Sequence, residues 1–265
     1  MHLYIKIFII LSLLLQTSFV WAAGPEEVET KLASDTETDL TKNHFESDTR
    51  IGGIITSGNT GSISISGSNK TIYRIKRFEN TWQSGAYYNR INSTTGGATV
   101  GTAARYIYGT YRLDYYFLPL TTVFVGGGGY TDEIKGIDLA GQAFTGVRHY
   151  FIRNKKIHFG GSVGYNFEYE NRVAPATNED IHSAAQELIF KYVFNDYVTF
   201  SQNVEAQENL QKGKDFRLNS DTELSVVLTK HLSFIPGFKL RFDNQPVPTF
   251  KKLDTITHMS LSVKF

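Results

Sequence analysis

The stretch Ser62-Ile63-Ser64-Ile65-Ser66-Gly67-Ser68-Asn69-Lys70-Thr71-Ile72-Tyr73-Arg74-Ile75 decides the fold. Ile63, Ile65, Gly67, Thr71, Tyr73 and Ile75 fall on one face of an extended chain. Ser62, Ser64, Ser66, Ser68, Lys70 and Arg74 fall on the other. Side chains of a β-strand alternate between two faces, so a period of two marks a strand with one apolar and one polar side. Strands of ordinary globular domains run to about five or six residues. A tilted strand needs about 9–11 to cross a bilayer, and this run is long enough.

The pattern recurs along the chain. Ile107, Tyr111, Leu113, Tyr115 and Phe117 alternate with Thr110, Arg112 and Asp114. Phe159, Val163, Tyr165, Phe167 and Tyr169 oppose His158, Ser162, Asn166 and Glu168. Phe234, Phe238, Leu240 and Phe242 oppose Lys239, Arg241 and Asp243. These runs predict about twelve strands, at 51–57, 62–77, 80–92, 102–117, 121–134, 139–152, 156–171, 184–194, 197–209, 216–229, 232–244 and 253–265. Short turns at Arg77–Asn80, Leu118–Leu120, Arg153–Lys156, Asn195–Asp196 and Lys230–His231 alternate with longer polar segments, including Asn92–Ala103, Asp132–Asp138, Asn171–Ser183, Glu208–Asp215 and Asn244–Leu253. Only Ser57–Gly61 is tight on the long-loop side. Short turns at one end and long loops at the other describe an antiparallel transmembrane β-barrel with periplasmic turns and external loops. A β-sandwich of similar composition would mix turn lengths at both ends.

The two termini point to export into an outer membrane. Met1–Lys6 carries one charge, Ile7–Leu15 is an almost unbroken apolar run, and Val20 and Ala22 fit a signal-peptidase site with cleavage after Ala22. Residues 1–22 are therefore expected to be a signal peptide. No cysteine follows, which excludes lipoprotein processing. At the other end Met259, Leu261, Val263 and Phe265 alternate back from a terminal aromatic, the pattern of a last strand read by barrel-assembly machinery. An even strand count places both ends of the barrel in the periplasm. Residues 23–50 carry eight acidic and three basic residues without sustained periodicity, and read as an acidic flexible periplasmic leader, with the barrel at 51–265.

Charge narrows the partners. Removing Lys6 from the 27 basic residues leaves 26 against 26 acidic ones. The leader takes a net −5 and the barrel +5, too weak a balance for nucleic acid. The expected partners are outer-membrane lipids, the assembly machinery and small polar solutes, and no cofactor is expected. With no cysteine, stability must come from the closed hydrogen-bonded wall rather than from disulfides.

If the apolar face meets lipid, the polar face fills the lumen. The charged inward set is then Lys70, Arg74, Arg112, Asp114, Arg148, Lys191, Glu205, Lys239, Arg241, His258 and Lys264, which leans basic. Two readings stay open: a channel favouring anionic or zwitterionic solutes, and a self-neutralising plug of side chains, since a twelve-stranded lumen is narrow enough to be filled. Phe78, Phe117, Phe151, Phe194 and Phe265 form the expected aromatic belt at the short-turn end.

Enzymatic signals are weak. His231-Leu232-Ser233 and His258-Met259-Ser260 have the spacing of a histidine and serine on one face, as a lipid hydrolase would need. The first is at a short turn, the second faces the lumen, and neither has an evident orienting carboxylate. Asp132-Glu133 and Glu179-Asp180 could bind a divalent cation but read more simply as solvated loop residues, so no metal site is assigned.

The stretch Ile51–Phe265 resembles a family of outer-membrane barrels of unknown function, DUF481, often labelled salt-induced outer membrane proteins. The resemblance rests on Ser57-Gly58-Asn59-Thr60, on Gly129-Tyr130-Thr131-Asp132 through Leu139 (without the arginine expected soon after), and on Asn244-Gln245-Pro246 with Lys251-Lys252-Leu253-Asp254-Thr255 and Phe265. It implies an outer-membrane location and a link to salt or osmotic stress. It carries no catalytic residues.

Overall fold

The computed structural model describes residues 40–57, 62–95, 98–133, 135–246 and 251–264. They form twelve strands: β1 (His44–Ser57), β2 (Ser62–Ile75), β3 (Phe78–Thr95), β4 (Ala98–Leu118), β5 (Thr121–Asp132), β6 (Ile137–Arg153), β7 (Ile157–Arg172), β8 (Glu179–Val193), β9 (Val198–Asn209), β10 (Phe216–Val227), β11 (Leu232–Asp243) and β12 (Leu253–Lys264). Each pairs antiparallel with its sequence neighbours, and β1 pairs with β12 to close the barrel. Closure leaves no sheet edge, so every backbone donor and acceptor along the wall can be satisfied within the sheet, as hydrocarbon demands. The protein is an antiparallel transmembrane β-barrel, as its alternation predicts.

The widest departures from the expected element boundaries are at three places. The first strand begins at His44, so residues 44–50 of the expected leader belong to the wall. Their outward positions are Phe45, Ser47 and Thr49, too polar to show an apolar face. Glu46, Asp48 and Arg50 point inward, where Arg50 donates to Asp48 and Glu223 and Ser262 Oγ donates to Asp48. Between β3 and β4, pairing continues to Thr95 opposite Ala98, where a long loop was expected over 92–103. On β8 the strand starts at Glu179 rather than 184 because backbone pairing with β7 extends to Glu170 opposite Glu179. The expected signal peptide and most of the leader lie outside the described residues.

The outer wall is apolar. Ile65, Val125, Val163, Met259 and Leu261 are all exposed on it. Phe78, Phe117, Phe151 and Phe194 are exposed at the short-turn end, where an aromatic belt meets the interface. Phe265 lies outside the described residues.

The inner wall has relief set by glycine. A Cβ on Gly126 would lie 2.4 Å from the Phe144 ring. Its absence lets Phe144 and Phe124, with centroids 6.4 Å apart, fold along the β5–β6 wall. Phe124 then offers its face to Arg112, whose guanidinium carbon is 4.0 Å from the ring centroid.

Candidate functional site

The site is the lumen. The alternation that turns apolar residues outward brings all of the inward set to one enclosed surface. Arg74 is fully buried near the short-turn end, 3.8 Å from Glu79 and 6.0 Å from the Tyr116 ring. Arg112 donates to Asp114 at 2.5 Å, and Thr122 donates to the same carboxylate at 3.1 Å. Arg148 donates to Glu187 at 2.9 Å, which also accepts from Ser162 and Asn203. Lys191 is buried, and Glu205 accepts from Gln207 at 2.7 Å. Lys239 lies 2.6 Å from Asp221. Lys70 and Arg241 line a central cavity, and His258 lies 3.7 Å from Glu223. Lys264 stands opposite Asp48 in the β1–β12 register. Met259 and Leu261 face outward with Val263 on the same side of β12.

Carboxylates outside the expected set share this surface. Glu46, Asp48, Asp114, Asp132, Glu168, Glu170, Asp215, Asp221 and Glu223 are buried, as are Arg74, Arg112, Arg148, Lys191 and Arg217, and Arg50, Lys70, Lys239 and Arg241 are half-buried beside them. The missed carboxylates were accessible to the same period-two rule. Glu168 and Glu170 share the parity of His158 and Asn166, and Asp221 and Glu223 share that of Arg217. What hid them is that one strand's pattern does not say which opposite charges meet across a lumen.

Two networks organise the inner surface. Towards the long-loop end, Arg217 on β10 donates to Glu168 at 2.9 Å and to Glu170 at 2.8 Å on β7, and the Tyr130 hydroxyl donates to Glu168 at 3.1 Å. Arg172 binds Glu170 and Glu179, and Lys212 binds Glu179. Beside them, in the β9–β10 loop, Asp215 accepts from Asn209 at 2.7 Å. Burial holds the Asp215 carboxyl above its ordinary pKa, against the pull of Arg217. Tyr130 and Asp132, from the Gly-Tyr-Thr-Asp stretch, both face inward and are buried.

The second network lies between β1, β10, β11 and β12. Arg50 donates to Glu223 at 2.9 Å and to Asp48 at 3.2 Å, and Ser262 donates to Asp48 at 2.6 Å. His258 reaches this group through a gap in β11: a Cβ on Gly237 would lie 2.2 Å from its Nε2. Asp221, Glu223 and His258 bring one ligand atom each within 4.8 Å of one another, a spacing a metal ion could use. Arg50 and Lys239 already neutralise the two carboxylates, so the geometry is that of an internal ion-pair network.

Cavities separate these clusters. One, of about 130 Å³, is lined by Arg50, Lys70, Tyr106, Lys239, Arg241 and His258 among others. A second of about 100 Å³ lies on the opposite side, among Gln142, Asn166, Glu187, Glu205 and Gln207. A third of about 20 Å³ opens under the long loops, beside Tyr130, Arg241, Pro246 and Lys252. Asn244 and Lys252 tie the loops above it: Asn244 Nδ2 donates to the Lys214 carbonyl at 2.7 Å and Lys252 to Asn244 Oδ1 at 2.9 Å.

Neither histidine–serine pair faces lipid. His231 is in the short turn against the Lys264 carbonyl, while Ser233 is buried inside, and His258 and Ser260 are both buried in the lumen. The acidic pairs are split by the strand period. Asp132 turns inward, and Glu133 turns outward to Arg105. Glu179 pairs with Arg172 and Lys212, while Asp180 is exposed.

The sequence profile of the family described as "Protein of unknown function, DUF481" matches residues 49–265. The chain belongs to this family. No curated protein sequence matches it. Among solved structures, this DUF481 barrel is similar to the NanC porin, with a TM-score of 0.56 and 10% identity over 82% of this chain and 100% of that one. The KdgM porin gives a TM-score of 0.48 and 8% identity over 82% and 99%. At such identities the likeness to NanC establishes a shared fold: a twelve-stranded barrel of porin type.

Proposed function

We propose that this protein is an outer-membrane channel for small polar solutes, with both termini in the periplasm. The observation that carries the reading is the polar lumen with cavities between its ion pairs. Gln83 Nε2, Asn166 Oδ1 and Asn219 Oδ1 are buried there with no protein partner among the described residues. Buried polar atoms are costly unless solvated, so such a lumen favours water over dry packing. Preference for anionic solutes would come from Lys70 and Arg241 around the 130 Å³ cavity rather than from the total charge. Met259, Leu261, Val263 and Phe265 serve as the signal for the assembly machinery. The link to salt or osmotic stress comes from the family's usual label alone.

A second reading, a structural barrel with a filled lumen, is favoured by the Arg217–Glu168–Glu170 and Arg50–Glu223 pairs that join strands across the interior. Planar-bilayer recording separates the two. Discrete conductance steps from purified protein support the channel, with anion preference reduced by replacing Arg112 and Arg241 with Gln. A silent barrel that stays silent in those variants supports the structural reading.

A further inference from the structure

We propose that Arg241, packed on Tyr106, is the constriction of the channel and its carboxylate-recognising residue; this rests on the channel reading. Arg241 is on β11 and Tyr106 on β4. In the barrel order β12, β1, β2 and β3 stand between those strands on the shorter way round, so a contact between them spans the lumen. The Arg241 guanidinium carbon lies 5.6 Å from the Tyr106 ring centroid.

Two independent features place this contact on the solute path. Arg241 lines both the small cavity under the long loops and the 130 Å³ cavity below it. Tyr106 also belongs to a strip of tyrosines, with centroids 5.1 Å from Tyr87, 5.4 Å from Tyr108 and 6.2 Å from Tyr130. Tyr130 lines the outer cavity, and Tyr87, Tyr106 and Tyr108 line the inner one. The strip therefore runs past the point where Arg241 crosses.

The chemistry of the pair gives selectivity. Contact with a ring face is weak for a guanidinium beside the two parallel charge-assisted hydrogen bonds that its planar fork makes with a carboxylate. A carboxylate entering from the loop side competes Arg241 away from Tyr106 and opens the narrow point. A neutral solute offers no such exchange, and a cation is repelled. The exposed tyrosine faces then offer flat apolar contact to a ring-bearing solute. Asp254 and Asn219 flank Arg241 in the register, and Asp254, Lys251 and Lys252 line the outer cavity, so they set the local field.

The test is bilayer recording of wild type, Arg241→Lys, Arg241→Gln and Tyr106→Leu, with folding checked by heat-modifiable gel mobility. Conductance should rise about twofold or more in Arg241→Gln and Tyr106→Leu, because each removes one side of the narrow point. The anion-to-cation permeability ratio should fall in Arg241→Gln and persist in Arg241→Lys. Glucuronate should interrupt wild-type current where glucose does not, and the interruptions should vanish in Arg241→Gln. A silent wild type opened by Tyr106→Leu also supports the constriction. A conducting wild type with unchanged conductance in folded Arg241→Gln and Tyr106→Leu overturns it while leaving the channel reading intact. Silence in all four overturns both.

Discussion

On β7 the outer face carries Phe159, Val163, Tyr165 and Tyr169, and the inner face carries His158, Asn166, Glu168 and Glu170. Val163 is 62% exposed to the surroundings of the barrel, while Glu168 is 1% exposed inside it. One strand thus serves two solvents, and the rules for its two faces differ. An outward residue is judged by its own transfer into hydrocarbon, nearly independent of its neighbours. An inward residue is judged by its partners, because a buried charge is tolerated only when paired.

The comparison is broken most strongly from the inside. Arg217→Ala removes the cation shared by Glu168 and Glu170, leaving Glu168 without its guanidinium partner. The expected loss is about 3–5 kcal/mol, measured by urea unfolding in detergent or vesicles. A cost below that of an outer-wall charge would mean the lumen is wet enough to screen the pair. Next comes the outside: Val163→Arg, near the middle of the apolar wall, should cost about 2–4 kcal/mol in the same assay. A neutral result would place Val163 away from lipid. The smallest effect belongs to a charge that faces neither environment. Glu133 pairs with Arg105 at the loop end at 2.8 Å, with Arg105 63% exposed. Glu133→Gln should leave the unfolding midpoint unchanged within error, since solvent screens exposed pairs.

The same contrast explains what could be read in advance. The strand count, the facing of Lys70, Arg112, Lys239 and Arg241, and the turn at 119–120 follow from period-two alternation, a local rule, while the turn expected over Arg77–Asn80 falls earlier, at 76–77. The start of β1 was missed because Ser47 and Thr49 give its outer face no apolar signature, although Glu46, Asp48 and Arg50 are held inside. The pairing of charges across the lumen was out of reach for a different reason. Glu168 was visible on the polar face of its strand, but Glu223 acquires its meaning only beside Arg50, 173 residues away.

By itself, the sequence determined that the chain makes long two-faced strands with tight turns at one end, because side-chain alternation and turn chemistry act over a few residues. Only the tertiary structure decided the register in which β12 meets β1, that Gly237 makes room for His258 beside Glu223, and that Arg241 reaches Tyr106 from the far wall. Those contacts depend on how the closed sheet is staggered, and a stagger of one strand against another leaves every strand's own alternation unchanged.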